Sequence, residues 1–365
     1  MIKKKTFVWG LVVVLLLGLA GCSQGIVAPS AVGSGAISVV DALGREVQLP
    51  EPAQRIVIAG RANFMLNDAV YAFPNADRRV LALTKSTQAA QAFVGLLDPD
   101  VETKTRFMAD AAAEEVAAAQ PDLVLLKSYM QESLGDPLEQ LGIPILYLDL
   151  ETPDQYRRDL AVLGQALGDP ERAESLWAYY DEILERVAEG AEGLTTAQKP
   201  RVLVLQYSDK GGEVAFKVPP ASWIQTQMVE LVGGTPVWAA AAQGGGWAVV
   251  NLEQIAAWNP DQIYVINYFG SAVDVATQLQ ADPQWAEMAA VRAGQLYPFV
   301  GDYHSWDQPD TRWGLGLLWL AQRVQPARFA DVDVRAEAIR FFETFYGLDR
   351  STIETEILAR MEAWP

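Results

Sequence analysis

The chain has 365 residues, a formal charge of −18 and one cysteine. So acidic a protein lacks the basic footprint that nucleic acid requires and has no broad electrostatic grip on anionic lipid. A single thiol forms no internal disulfide and no Cys/His metal cluster.

The first element is a leader. Lys3, Lys4 and Lys5 precede an apolar run over residues 7–20. Fourteen residues are short for a bilayer span and suit a signal peptide. The run ends in Leu19-Ala20-Gly21-Cys22, which resembles a bacterial lipobox. That resemblance implies cleavage before Cys22, lipidation of its thiol and an extracytoplasmic, membrane-anchored protein. Loss of residues 1–21 removes three lysines and no acid, leaving the mature chain near −21. Residues 22–36 are small, polar or glycine-bearing and read as a tether.

Short β-branched runs follow at residues 55–60, 122–126 and 143–148, and a second series at 201–205, 262–266 and 295–300. Continuous apolar runs with helical stretches between them predict parallel α/β sheets. Between the two series, residues 152–189 carry Leu160, Leu163, Leu167, Leu176, Tyr180, Ile183, Leu184 and Val187 at helical spacing, with Gly168-Asp169-Pro170 as one interruption. The expected organisation is an α/β protein with a first lobe over 37–150, a linking helix, single or in tandem, over 151–190, and a second lobe over 191–365.

An internal repeat supports two similar lobes. Glu114 stands seven residues before Pro121-Asp122, and Glu253 seven before Pro260-Asp261. Each stretch predicts a short helix, a turn at proline and a buried strand, with the glutamate near the helix start, where the macrodipole favours it.

Two α/β lobes joined by a long helix resemble the helical-backbone (class III) ABC-importer binding proteins for ferric siderophores, haem and cobalamin. Residues 41–47 before Arg55-Ile56-Val57 carry the match, with 114–124, 228–234, 253–263 and 291–297. The resemblance covers nearly the whole mature chain. It implies two Rossmann-like lobes with a ligand cleft between them. It also implies a monomer that serves a permease and its ATPase, and lobe-top glutamates that meet permease arginines. Those glutamates fall on Glu114 and Glu253, with Glu115 an open alternative to Glu114.

In such a fold the cleft is built by loops at the C-terminal ends of strands. The candidates there are Arg61, Tyr129, Tyr207, Tyr268, Tyr303 and His304, with Trp223, Trp247 and Trp306 from loop-like stretches. Cations, phenols and aromatics hold a bulky anionic chelate. Packing under the loops is the competing role for the tryptophans, and loop hydrogen bonding for His304. Trp258, Trp285, Trp313 and Trp319 have periodic apolar neighbours and are assigned to the core. One histidine does not make a zinc site, so no protein metal site and no resident cofactor are expected. The leading ligand is a metal chelate, a ferric siderophore or corrinoid. The alternative is a molybdate- or tungstate-type oxyanion held by Arg61, His304 and backbone amides. A lipid-anchored hydrolase is the reading of another class, but no Gly-x-Ser-x-Gly elbow or phosphate loop is present.

Overall fold

The computed structural model describes residues 36–85 and 93–361. The leader, Cys22 and the tether up to residue 35 lie outside the described residues. Among those described, no helix is long and apolar enough to cross a membrane.

The described part opens with a hairpin of β1 (Ile37–Val40) and β2 (Glu46–Leu49). Its turn is closed by Asp41, whose carboxylate accepts from the amides of Leu43 and Arg45 at 3.0 Å and from the Arg45 guanidinium at 2.7 Å. Gly44, at φ 76°, supplies the left-handed residue of that turn.

The first lobe holds β3 (Ile56–Ile58), β4 (Val80–Thr84), β5 (Thr105–Phe107), β6 (Leu123–Lys127) and β7 (Ile145–Leu148), ordered β5-β4-β3-β6-β7 and all parallel. Helix α1 (Asn63–Tyr71) follows β3, and the short helix α2 (Ala113–Ala117) leads into β6. Parallel strands are covered on both faces, which is why β3 and β6 are buried along their whole length.

The linking region is two helices, α3 (Pro153–Leu167) and α4 (Pro170–Ala191). Thr152 caps α3 by accepting from the Gln155 amide, Pro153 starts it, and Gly168 at φ 73° ends it. Asp169 then caps α4 by accepting from the Arg172 amide. The predicted interruption is thus a stop signal followed at once by a start signal. At 1.5 Å per residue α4 is about 33 Å long. Its Arg172 guanidinium donates to the carbonyl of Ala72 in the first lobe and to those of Thr344 and Phe345 near the C-terminus.

The second lobe holds β8 (Arg201–Ser208), β9 (Ala215–Val218), β10 (Thr235–Pro236), β11 (Ala248–Val250), β12 (Gln262–Ile266) and β13 (Leu296–Pro298). The order is β11-β9-β8-β12-β13, with β10 beside β8. Here the expectation of a parallel sheet needs correction, because β9 and β11 run antiparallel to their neighbours. The hairpin from β8 to β9 has the glycines Gly211 and Gly212 at φ 85° and 83°, so the chain returns on itself without a crossover. Helices α5 (Ile224–Leu231), α6 (Leu252–Trp258), α7 (Ala272–Ala281), α8 (Trp313–Val324) and α9 (Val334–Tyr346) complete the lobe.

The repeat is structural as well as sequential. Glu114 and Glu253 are 139 positions apart, and each is the second residue of its helix, α2 or α6. Gln120 and Asn259, also 139 apart, both take left-handed backbone at φ 53° and 43°. Asp122 accepts from the Arg55 amide at 2.9 Å, and Asp261 from the Arg201 amide at 2.7 Å. The Arg55 guanidinium caps the carbonyls of Ala119 and Gln120; that of Arg201 caps Trp258 and Asn259. One Arg–Asp clamp therefore fastens helix, turn and strand in each lobe.

Candidate functional site in the interlobe region

The two lobes meet where α1 faces the 299–312 segment that follows β13. The Phe64 ring stacks on His304 at 4.9 Å, and the Asp68 carboxylate accepts from the Arg312 Nη1 at 2.6 Å. Arg312 is fully buried, contacts Asp302 at 2.8 Å and Asp310 at 3.6 Å, and lies 4.2 Å over the Phe93 ring. Three carboxylates around one guanidinium leave surplus negative charge. Burial pushes Asp68 up to about 6, against the pull of Arg312, and raises Asp310 well above the carboxylate range. Burial, reinforced by Arg312, holds His304 well below the usual imidazole value, so the ring is neutral.

Asp68, His304 and Asp310 bring ligand atoms within 4.8 Å of one another. Arg312 stands among them, however, and its guanidinium is the cation this cluster holds. A metal ion would have to displace a bond of 2.6 Å.

The second lobe carries an aromatic wall built from Trp223 at the start of α5, Trp247 just before β11 and Tyr268 just after β12. Trp223 meets Trp247 edge to face at 5.5 Å, and Trp247 meets Tyr268 at 6.0 Å. All three are partly exposed. Behind them sits Asp307, with no accessible surface. It accepts from the Tyr268 hydroxyl at 2.6 Å, the Gln225 amide at 3.2 Å and the Ser305 hydroxyl at 2.5 Å. Burial pushes this carboxyl up to about 6, against its three donors, and the Tyr268 phenol well up.

On the first lobe, the turn after β3 passes through Gly60 at φ 81°, where an added Cβ would meet Met130 at 3.2 Å. This close turn turns Arg61 outward; it is exposed and makes no ion pair among the described residues. Tyr129 is 58% exposed and within electrostatic reach of Arg61 and Glu151. It lies 139 positions before Tyr268, so the two tyrosines are twins in the repeat. Lys127 is buried and neutralised by Glu151 at 2.5 Å. Phe269 adds a second exposed ring, at 49%.

Of the nine anticipated side chains, Arg61 and Tyr129 follow strand ends of the first lobe, and Trp223, Trp247 and Tyr268 form the wall on the second. The other four, Tyr207, Tyr303, His304 and Trp306, present almost no surface, a correction to their expected exposure, and His304 lies at the junction of the lobes. Tyr207 packs on Phe216, and Tyr303 lies between Phe93 and Arg360. Trp306 is fully buried, with its indole N–H donating to Asp302. The sequence reading passed over Asp68, Gln225, Asp307 and Arg312. A signal existed in residues 299–312, where three aspartates and one arginine crowd an otherwise aromatic loop.

Two α/β lobes, each fastened by the same Arg–Asp clamp and joined by paired helices, make the fold of a solute-binding protein. The chain belongs to the periplasmic binding protein family, extracytoplasmic solute-binding proteins, whose model matches residues 67–300. It is similar to the molybdate-binding protein MolA of Haemophilus influenzae, 24% identical over 84% of this chain and 90% of that one. A vitamin B12-binding protein of Pectobacterium carotovorum is 30% identical over 58% of this chain and 68% of that one. Among solved structures, a periplasmic solute-binding protein of Veillonella parvula superposes with a TM-score of 0.73, at 26% identity, over 89% of this chain and 97% of that one.

Proposed function

We propose that the protein captures a metal chelate, a corrinoid or ferric siderophore, and presents it to a permease through Glu114 and Glu253. The aromatic wall of Trp223, Trp247 and Tyr268 carries this reading, because aromatic faces and edges suit a broad, largely apolar ligand. Tyr129 and Phe269 extend the aromatic surface on either lobe. The similarity to a vitamin B12-binding protein points the same way.

Oxyanion capture is the second reading, favoured by the similarity to MolA over most of the chain and by Arg61, which is exposed and makes no ion pair among the described residues. The groups near His304 speak against it. The ring is neutral, Arg312 is committed to three carboxylates, and Lys127 to Glu151. An anion placed there would meet surplus negative charge.

Both glutamates are exposed on short helices fixed by the same clamp, which supports a matched pair of docking points. Glu253 also lines a surface groove of about 600 Å³ with Leu252, Met288 and Arg292. Glu114 sits at the repeat position of Glu253, and Glu115 at that of Gln254, which favours Glu114 for the role. Lipidation at Cys22 and the lobe limits 37–150 and 191–365 belong to the same proposal.

The test is titration of intrinsic tryptophan fluorescence with cyanocobalamin, a ferric trihydroxamate and molybdate. A chelate should quench emission, and Trp247→Ala should weaken its binding about tenfold. Tight molybdate binding, lost in Arg61→Ala and untouched by Trp247→Ala, would install the oxyanion reading instead.

A further inference from the structure

The wall is only as well ordered as its last ring. Trp223 leans on Trp247 and Trp247 on Tyr268, so Tyr268 supports the chain of rings from one end. A tyrosine at the end of a strand loop has a freely turning side chain unless something holds it. Its twin Tyr129 shows the unheld case, with 58% of its surface exposed. Tyr268 differs in what lies behind it, because its hydroxyl reaches Asp307 at 2.6 Å.

Asp307 is built to hold that hydroxyl. It has no accessible surface, and its two oxygens take three donors from three segments: Gln225 on α5, Tyr268 after β12 and Ser305 after β13. The carboxylate is an acceptor only, so the phenol must donate inward. The phenol oxygen is thereby turned to the protein, and the ring is what remains for a ligand.

We propose that Asp307 is a positioning residue for ligand capture. It pins Tyr268, orders the Trp223–Trp247–Tyr268 wall, and makes Tyr268 a stacking surface rather than a ligand to metal. The site therefore takes a chelate whose own donors already fill the metal's coordination shell. This rests on the proposal that the wall contacts the ligand, and Trp247→Ala tests that premise separately.

The probes are cyanocobalamin and a ferric trihydroxamate, and the readout is a double-mutant cycle on the dissociation constant of whichever binds. Asp307→Ala and Tyr268→Phe should each weaken binding about tenfold, the effect of one hydrogen bond to a charged acceptor. The double variant should be no weaker than either single one, because both remove the same bond. Asp307→Asn, which can still accept from the phenol, should remain within about twofold of the parent. Tyr268→Phe and Asp307→Asn preserve bulk, so they carry the test if Asp307→Ala fails to fold. Additive losses in the cycle, or a Tyr268→Phe variant of unchanged affinity beside a weakened Trp247→Ala, would overturn the positioning role alone. Failure of both chelates to bind, or a Trp247→Ala variant of parental affinity, would overturn the premise and this inference with it.

Discussion

Tyr129 and Tyr268 occupy one position of a duplicated unit and live in different surroundings. Ahead of each, the same glutamate, left-handed turn, proline and Arg–Asp clamp recur. After each, the lobes part. The first lobe leaves its tyrosine open beside a neutralised lysine; the second pins its tyrosine on a buried aspartate and adds two tryptophans from its antiparallel extension. The difference separates two duties. Under the proposed roles, the part alike in both lobes is the one that would face a partner, and the part that has diverged is the one that would face the ligand.

The largest expected effect concerns the joint between lobes. Arg312→Met should destabilise the protein by about 3–5 kcal/mol, since it strands buried carboxylates. Arg186→Met, which breaks the more exposed pair with Asp331, should cost under about 1 kcal/mol. Chemical denaturation measures both. Equal losses would mean that the buried cluster is no special tie between the lobes.

Next comes the matched pair. Glu114→Ala and Glu253→Ala should each lower uptake, to similar extents, and together by at least about tenfold, with ligand affinity unchanged. A loss confined to one glutamate would break the equivalence drawn between the lobes. Cys22→Ser in the same cells should release the protein from the membrane fraction; normal fractionation would remove the anchor from the proposal.

The smallest effect is the share of the pH dependence that Asp307 of the second lobe contributes. Asp307 titrates at about 6 when folded and near 3.9 when unfolded. Between those values the folded chain holds a proton that the unfolded chain lacks. Stability from this group therefore rises as pH falls from about 6 to 4. Asp307→Asn abolishes that share, so the Tm of the parent relative to the variant should climb by about 2 °C between pH 7.5 and 5. A constant difference would show that Asp307 keeps an ordinary value.

Much of the fold was legible because it is written locally. Residues 55–60, 122–126 and 262–266 announce buried strands by β-branching, and Gly168-Asp169-Pro170 spells the end of one helix and the start of the next. The antiparallel β9 and β11 were missed because four- and three-residue strands, AFKV and AVV, carry too little pattern to oppose the parallel expectation. At the site, exposure was the difficulty. Tyr303 and Trp306 follow a strand end as Tyr268 does, Tyr207 lies within the last residues of β8, and only three-dimensional packing decides which rings are covered. Asp307 and Arg312 were passed over for a related reason. A charged residue in a loop reads as solvated until the structure shows the groups that bury it.

The aromatic contacts of Phe93 bear on how the chain acquires its shape. This first-lobe ring packs on Phe342 and Tyr346 of α9, and Ala72 is capped by Arg172 together with the end of that same helix. The lobe encoded first is thus roofed by residues synthesised near the end. An emerging chain holding only residues up to about 200 would leave Phe93 without its cover, and final closure of the first lobe waits for α9.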